Sequence, residues 1–351
     1  MHPTISIIIA TFNSAQTLSL VLESIKNQTF PKNKIEVLIV DGGSTDETLE
    51  LAKKYNCKVT DNPQIEPVSA KLLGYKYAKG DYILYLDADE VIENPESLSL
   101  KYSIFQKEKK IKAVIGSGYQ DPKNASFITS YINDFGDPFS FFIYRLSKNS
   151  KYYYSGLKQL FPALKEDPAF VIFDFSKKGK GLLLELGAAN SMMDLNYLRK
   201  QFPNFTSEIF AHLFQLLVSK ANLIGMTKND SIIHYATTDL QTYLNKINWR
   251  IKNNIYHLSK MGVSGFRGRE QFHSGVLKLK KYLFIPYSLS LVFPLLDSLY
   301  LILSRKNLSY FFHFPLTIYI AGLITYHYFL KLLGLKPKLR SYDESTEIKS
   351  N

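Results

Sequence analysis

The stretch ILYLDADEVI, residues 83–92, decides how this chain reads. Tyr82 to Leu86 form a short, mostly apolar run of the kind that is buried as a strand. Asp87, Asp89 and Glu90 follow at once. A strand that runs into Asp-x-Asp delivers two carboxylates to its carboxyl end, the edge at which open α/β sheets bind ligands. Carboxylates this close repel one another unless a positive group stands between them. A divalent cation that also holds phosphate oxygens meets that need. For the motif alone, a polar turn after a strand is the plain alternative.

Upstream, Thr4 to Ala10 (TISIIIA) is a β-branched run suited to a buried parallel strand, and Thr11-Phe12-Asn13-Ser14 breaks it. Leu18, Val21, Leu22 and Ile25 then recur at helical spacing, with Ser14 in the N-cap position. Ile35 to Val40 predicts a second strand, ending in Asp41-Gly42-Gly43-Ser44. Ser44 and Glu47 stand three apart, the spacing of a capping box, so a helix is expected to start there. Lys58 to Thr60 predicts a third strand, and Val68 to Lys79 a helix that Gly80 stops. The alternation predicts an α/β domain with a mostly parallel sheet and right-handed crossovers. Parallel strands share a direction, so the polar ends Thr11–Asn13, Asp41–Ser44 and Asp87–Asp89 should fall on one edge as a nucleotide crevice. The sequence has no GxGxxG after the first strand and no GxxxxGK[ST]. Phosphate must then be held otherwise, and a metal on Asp87 and Asp89 does so most simply.

The segments ISIIIATFNSAQTLSLVLESIKNQTF, VLIVDGGSTDETLELAKKY and KGDYILYLDADEVI resemble the family 2 glycosyltransferases in order, spacing and motif over residues 4–93. The resemblance implies the GT-A fold, a nucleotide-diphosphate sugar donor, a Mn²⁺ or Mg²⁺ ion and inversion at the anomeric carbon. It also implies that Thr11 and Asn13 line the nucleoside pocket and that Asp41 accepts hydrogen bonds from the base. Asp87 would approach ribose and metal, and Asp89 would bind the metal directly and take part in catalysis. One position departs from the family: Ala70-Lys71-Leu72 stands where Ala-Arg-Asn is usual. Lys71 supplies positive charge to the donor without the planar two-point contact of Arg.

Further on, Ala113 to Gly116 predicts a fifth strand. The aromatic-rich stretch Tyr119–Ser155 reads as core or membrane-facing packing rather than a sugar platform, with Asp134, Asp137 and Arg145 as candidate acceptor contacts. Leu182 to Leu186 predicts a strand leading into a small-residue loop and a helix over Asp194–Arg199. Glu208 precedes a helical face of Ile209, Leu213, Leu216 and Leu217. By the resemblance it is the base that deprotonates the acceptor; the alternative is a carboxylate favoured there by the helix dipole. His234 ends the run SIIH and is either a further metal ligand, a liner of the diphosphate site, or a satisfied buried histidine. Lys246 and Arg250, four apart on one predicted helix face, are placed to steady the departing nucleotide diphosphate. Trp249-Arg250 reverses the Arg-Trp order of processive synthases, so processivity is not inferred.

Hydrophobic residues make up 46% of the 351, ample for a core. The single cysteine, Cys57, excludes an internal disulfide and fits a reducing setting. The amino terminus reads as a first strand rather than a secretory signal. The net charge of +12 is uneven: residues 241–340 hold 15 Lys and Arg against Glu270 and Asp297. That basic region also contains apolar runs at 282–304 and 310–330, each long enough to span a bilayer. Basic and apolar together favour an anionic membrane surface over nucleic acid, for which no motif is present. The flanking lysines predict a hairpin with both flanks cytosolic and Arg305-Lys306 in the far turn. Pro286, Pro294 and Asp297 argue instead for interfacial helices.

The expected organisation is a GT-A catalytic domain over 1–240, a basic helical linker over 241–281, membrane-associated helices over 282–335 and a polar tail over 336–351. The expected function is sugar transfer from a nucleotide-diphosphate sugar to a polyprenyl phosphate, lipid-linked glycan or cell-surface polysaccharide, at the cytoplasmic face of the cell membrane. A non-catalytic membrane protein that keeps a nucleotide-sugar pocket is the rival from another class.

Overall fold

The structure is a computed structural model that describes residues 2–176, 190–204, 206, 210–256 and 270–338. The expected strand Leu182–Leu186, residues 187–189 of its small-residue loop, and Glu208 lie outside the described residues. The chain divides into two units, Met1–Lys123 with Lys148–Lys178 and Leu182–Ala236, and Asn124–Ser147 with Gly179–Gly181 and Thr237–Asn351.

In the first unit the strands are, in chain order, β1 (Ile5–Thr11), β2 (Ile35–Asp41), β3 (Lys58–Asp61), β4 (Tyr82–Asp87), β5 (Glu90–Ile92) and β6 (Ala113–Ile115). They continue as β7 (Tyr119–Gln120), β8 (Ala163–Glu166), β9 (Phe170–Asp174), β10 (Met192–Asp194), β11 (Leu223–Thr227) and β12 (Ile232–His234). A nine-stranded sheet runs in the order β3-β2-β1-β4-β10-β6-β11-β9-β8, and β5-β12-β7 form a small second sheet. The first four strands are parallel, as their unbroken apolar runs predict. Beyond β4 the sheet is mixed, because β10 inserts antiparallel between β4 and β6 and β9 runs antiparallel to β11. Three-residue strands carry too little pattern to announce their direction.

Ile5, Ile7 and Ile9 on β1 are fully buried, with Leu18, Val21 and Leu22 of the helix Ala15–Lys26 in the same core. The helix Pro67–Tyr77 covers the sheet so closely that a Cβ on Gly74 would stand 2.2 Å from Ile8 Cγ2. Glycine is what lets this helix approach, and Lys71 rides on it toward the end of β4.

In the second unit the helices Phe127–Phe135 and Pro138–Tyr144 supply Tyr131, Phe135, Phe141 and Phe142 to an aromatic core. That core is completed by residues of Leu240–Tyr256, Phe284–Leu289, Val292–Arg305 and His313–Leu332. The first apolar run is not one straight span. Gly275–Leu289 and Val292–Arg305 meet at 92°, with Leu291 in the left-handed region at φ 56°. Leu308–Leu332 is the one described stretch that is, as a single helix, long and apolar enough to cross a membrane. The three polar residues expected as acceptor contacts make contacts within this unit. Asp134 is 1% exposed and accepts from Arg305 Nε (3.0 Å) and Tyr310 (2.7 Å). Asp137 caps the helix that follows it through Ser140 N, and Arg145 pairs with Asp297.

Candidate active site

Register brings the three polar strand ends together. Thr11 is the β1 partner of Asp41, and Ala10 is the partner of Asp87. Thr11 Oγ1 donates to Asp41 Oδ1 at 2.7 Å. The same oxygen accepts from Ser44 Oγ, while Oδ2 accepts from the amides of Gly43 and Ser44 at 2.9 and 2.7 Å. A carboxylate has about four acceptor positions, and these four bonds engage the buried Asp41 within the protein. It folds the loop that follows β2, in which Gly43 takes φ +91°. The capping box is corrected: Ser44 is spent on Asp41, and the helix starts at Thr48.

Asn13 is exposed in the left-handed region at φ 47°. Its amide N–H donates to Ser44 Oγ and its Oδ1 accepts from Thr45 N at 2.8 Å, so the loops after β1 and β2 form one rim.

At the end of β4, Lys71 Nζ stands 2.7 Å from Asp87 Oδ1. Burial opposes ionisation of Asp87, but the Lys71 ammonium overrides it and holds the carboxyl below its ordinary value. Burial likewise opposes charge on Lys71, and Asp87 raises it. Asp89 is partly exposed as well, its side chain 39% accessible against 49% for Asp87, with His234 Nε2 at 3.6 Å from Oδ2. His234 stacks on Tyr119, with ring centroids 4.8 Å apart. Burial works against the imidazolium, yet Asp89 raises its pKa. Glu90 and Tyr119, which no sequence motif singles out for a role, build the wall behind these groups. Glu90 is buried and accepts from Tyr119 OH (2.7 Å) and Asp87 N (3.0 Å). Burial first, then the charge of Asp87, push it up to about 7. The pairing of β12 with β5 and β7 makes this wall, and only the SIIH run hinted at it.

Among the described residues no three His, Cys, Asp or Glu side chains converge as a ready metal cage. The expected ligand set of Asp87, Asp89 and His234 is accordingly not preassembled, since Lys71 occupies one oxygen of Asp87. The donor set still suits a hard cation that arrives with a diphosphate, because Mg²⁺-type sites use one or two carboxylates and substrate phosphates. Lys246 and Arg250 are on the helix Leu240–Tyr256 of the second unit, Lys246 half-buried and Arg250 exposed.

A mixed α/β sheet whose aligned strand ends present a rim of hydroxyls and carboxylates is the GT-A type of domain. A mannosyltransferase from Pyrobaculum calidifontis, solved with GDP-Man and Mn²⁺, shares the fold: TM-score 0.53, 12% identity, 93% of this chain and 88% of that one covered. Residues 6–173 match the model of glycosyl transferase family 2. The chain is 36% identical over 119 residues to a poly(ribitol-phosphate) beta-glucosyltransferase of Bacillus spizizenii, covering 32% of this chain and 18% of that one. It is 41% identical over 115 residues to a Methanococcus voltae dolichyl N-acetyl-alpha-D-glucosaminyl phosphate 3-beta-D-2,3-diacetamido-2,3-dideoxy-beta-D-glucuronosyltransferase, covering 30% and 35%. These matches thus span 18 to 35% of the relatives' own length.

Proposed function

We propose that the protein transfers a sugar from a nucleotide-diphosphate sugar to a membrane-proximal hydroxyl or phosphate acceptor, with inversion. The observation that carries this is the alignment of Thr11, Asp41 and Asp87 at one sheet edge, with Asp89 open beside them. The rim of Thr11 and Asn13 receives the nucleoside, and Asp41 fixes the shape of that rim. Lys71 orients Asp87 and offers positive charge to the donor. Asp89 and the second oxygen of Asp87 would hold a Mn²⁺ or Mg²⁺ ion, which when bound neutralises charge developing on the leaving diphosphate. Glu208 takes the acceptor proton, and Lys246 and Arg250 steady the departing nucleotide. His234 buttresses Asp89 from the side.

The acceptor class is a polyprenyl phosphate, a lipid-linked glycan or a cell-surface polysaccharide, reached from the cytoplasmic face of the membrane. Support for a membrane comes from the basic composition of residues 241–340 and the apolar stretch Leu308–Leu332. The test is nucleotide release by the purified full chain with a panel of nucleotide sugars and Mn²⁺, beside Asp89→Asn. Release above the variant's background supports the reading; a panel in which the two proteins are indistinguishable removes it.

A further inference from the structure

We infer that the second unit docks in the plane of one anionic membrane leaflet and sends no helix across it. This rests on the membrane-proximal reading above and adds its topology. Of the 28 exposed large hydrophobic residues among the described ones, 22 lie between Val276 and Leu335. A soluble surface does not ordinarily gather so much apolar area in one region. Lys278, Lys306, Lys336 and Lys338 are exposed in the same region, which complements anionic headgroups.

Three features within this unit argue against crossing. First, the helix His313–Leu332 does not stand alone. His327 Nε2 is 3.0 Å from Asn248 Oδ1, Tyr256 OH donates to the His327 carbonyl, and Lys331 Nζ donates to the Ile255 carbonyl. The helix Leu240–Tyr256 therefore accompanies it, and carries Lys246, Arg250 and Lys252. A crossing would draw those charges to hydrocarbon depth, where they are costly. Second, the turn that a hairpin would expose on the far side is sealed. Arg305 and Tyr310 both bond the buried Asp134 of Phe127–Phe135, and His313 Nδ1 lies 2.6 Å from Tyr131 OH of the same helix. Third, the other apolar run bends by 92° at Ser290–Leu291 and holds Asp297, paired with Arg145 and Tyr287. Arg145 is 43% exposed, suited to headgroup depth rather than to the bilayer centre. Such a unit lies flat: apolar side chains enter the leaflet and the polar helix stays above it.

The experiment uses the full chain with Cys57→Ser, carrying either Lys306→Cys or Lys336→Cys, one at each end of the Leu308–Leu332 stretch. Both are expressed in a bacterial host. A membrane-impermeant maleimide is applied to right-side-out and to inverted sealed vesicles, with detergent-solubilised protein as the total. Both cysteines should label from the same side, at the level of the detergent total, and neither from the other. Labelling from opposite sides overturns the inference, as does recovery of the protein in the soluble fraction, where a dimer would mean that a second copy covers the apolar face. Purified protein should also float with anionic vesicles several-fold better than with neutral ones at low salt; equal flotation removes the anionic-leaflet part. Nucleotide release is read on the same preparations. Opposite-side labelling with release intact overturns the topology alone, and same-side labelling without release overturns the sugar-transfer reading alone.

Discussion

Lys71 Nζ and Asp87 Oδ1 are 2.7 Å apart at the end of the fourth strand, and each keeps the other charged against burial. The lysine meets the carboxylate as a point charge. Lys71→Met should leave the sheet folded and weaken nucleotide-diphosphate binding roughly ten- to hundredfold, the worth of a charge-assisted hydrogen bond. Lys71→Arg should recover part of that. Calorimetric titration of both variants decides it, and unchanged affinity in Lys71→Met would remove Lys71 from the donor site.

Asp89 contributes to the fold through its backbone: its carbonyl accepts from Tyr235 N at 2.9 Å. Its carboxylate is 39% exposed, with His234 Nε2 at 3.6 Å. Asp89→Asn should therefore melt at the wild-type temperature while Mn²⁺-dependent turnover falls by several orders of magnitude, since metal charge stabilisation is worth several kcal/mol. Chelation of the wild type should produce the same loss and added Mn²⁺ should reverse it. Turnover that survives chelation sinks the metal assignment.

Asp41 accepts four hydrogen bonds inside the protein. Asp41→Ala strands two backbone amides and the Thr11 hydroxyl near the sheet edge, a cost of about 2–4 kcal/mol. The expected outcome is a melting temperature lower by roughly 5–10 °C, with weaker donor binding as a consequence of the collapsed loop. A variant that melts normally yet binds donor poorly would return Asp41 to direct contact with the base.

The parts of the site that could be read in advance are those on buried parallel strands. Such strands are near-continuous apolar runs, so their polar ends stand out, as at Thr11, Asp41 and Asp87. What could not be read depends on contacts between distant segments. Glu90 looked like one more acidic residue of a turn; only the pairing of β5 with β12 shows it buried behind Asp87. Asp134 and Arg305 are 171 residues apart and share no motif, so their pairing had no local trace. The apolar runs led to the expectation of a membrane module from composition, but composition says nothing of a 92° bend at Leu291, which takes a positive φ.

Away from the site, Glu36 gives a pH signature. It is buried on β2 and accepts from Ser6 Oγ, Lys58 Nζ and Lys79 N. Burial raises its pKa, but these partners together bring it below the ordinary 4.5. A depressed folded-state pKa means that the stability it contributes is present above the unfolded value and is lost as pH falls through the folded one. Glu36→Gln should be less stable than wild type at neutral pH, and the difference should shrink steadily below about pH 4.5. Melts across that range measure it; a gap that does not narrow in acid would show that Glu36 is not the titrating group.

Cutting the chain after Gly275 tests whether the basic, apolar remainder is only an anchor. By charge and hydropathy the cut looks clean, and it would leave a soluble catalytic domain. The second unit argues otherwise. Tyr131, Phe135, Phe141 and Phe142, which precede the cut, share one core with Phe284, Leu301, Tyr310 and Leu316, which follow it. Each aromatic side chain uncovered forfeits about 1.5–3 kcal/mol of burial. Asp134 would also lose Arg305 and Tyr310, and a buried carboxylate stripped of its partner costs about 3–5 kcal/mol. Together these exceed what a truncated helical unit can offset, given net stabilities of about 5–15 kcal/mol for whole domains. The truncated protein should aggregate without detergent and should give no cooperative melt for residues 124–147 and 237–275. Hydrogen exchange on those peptides, compared with full-length protein in detergent, separates their loss from any loss in the first unit. A truncated chain that sediments as a monomer, melts cooperatively and protects the Phe127–Phe135 amides would show that the aromatic core does not need the segments after Gly275.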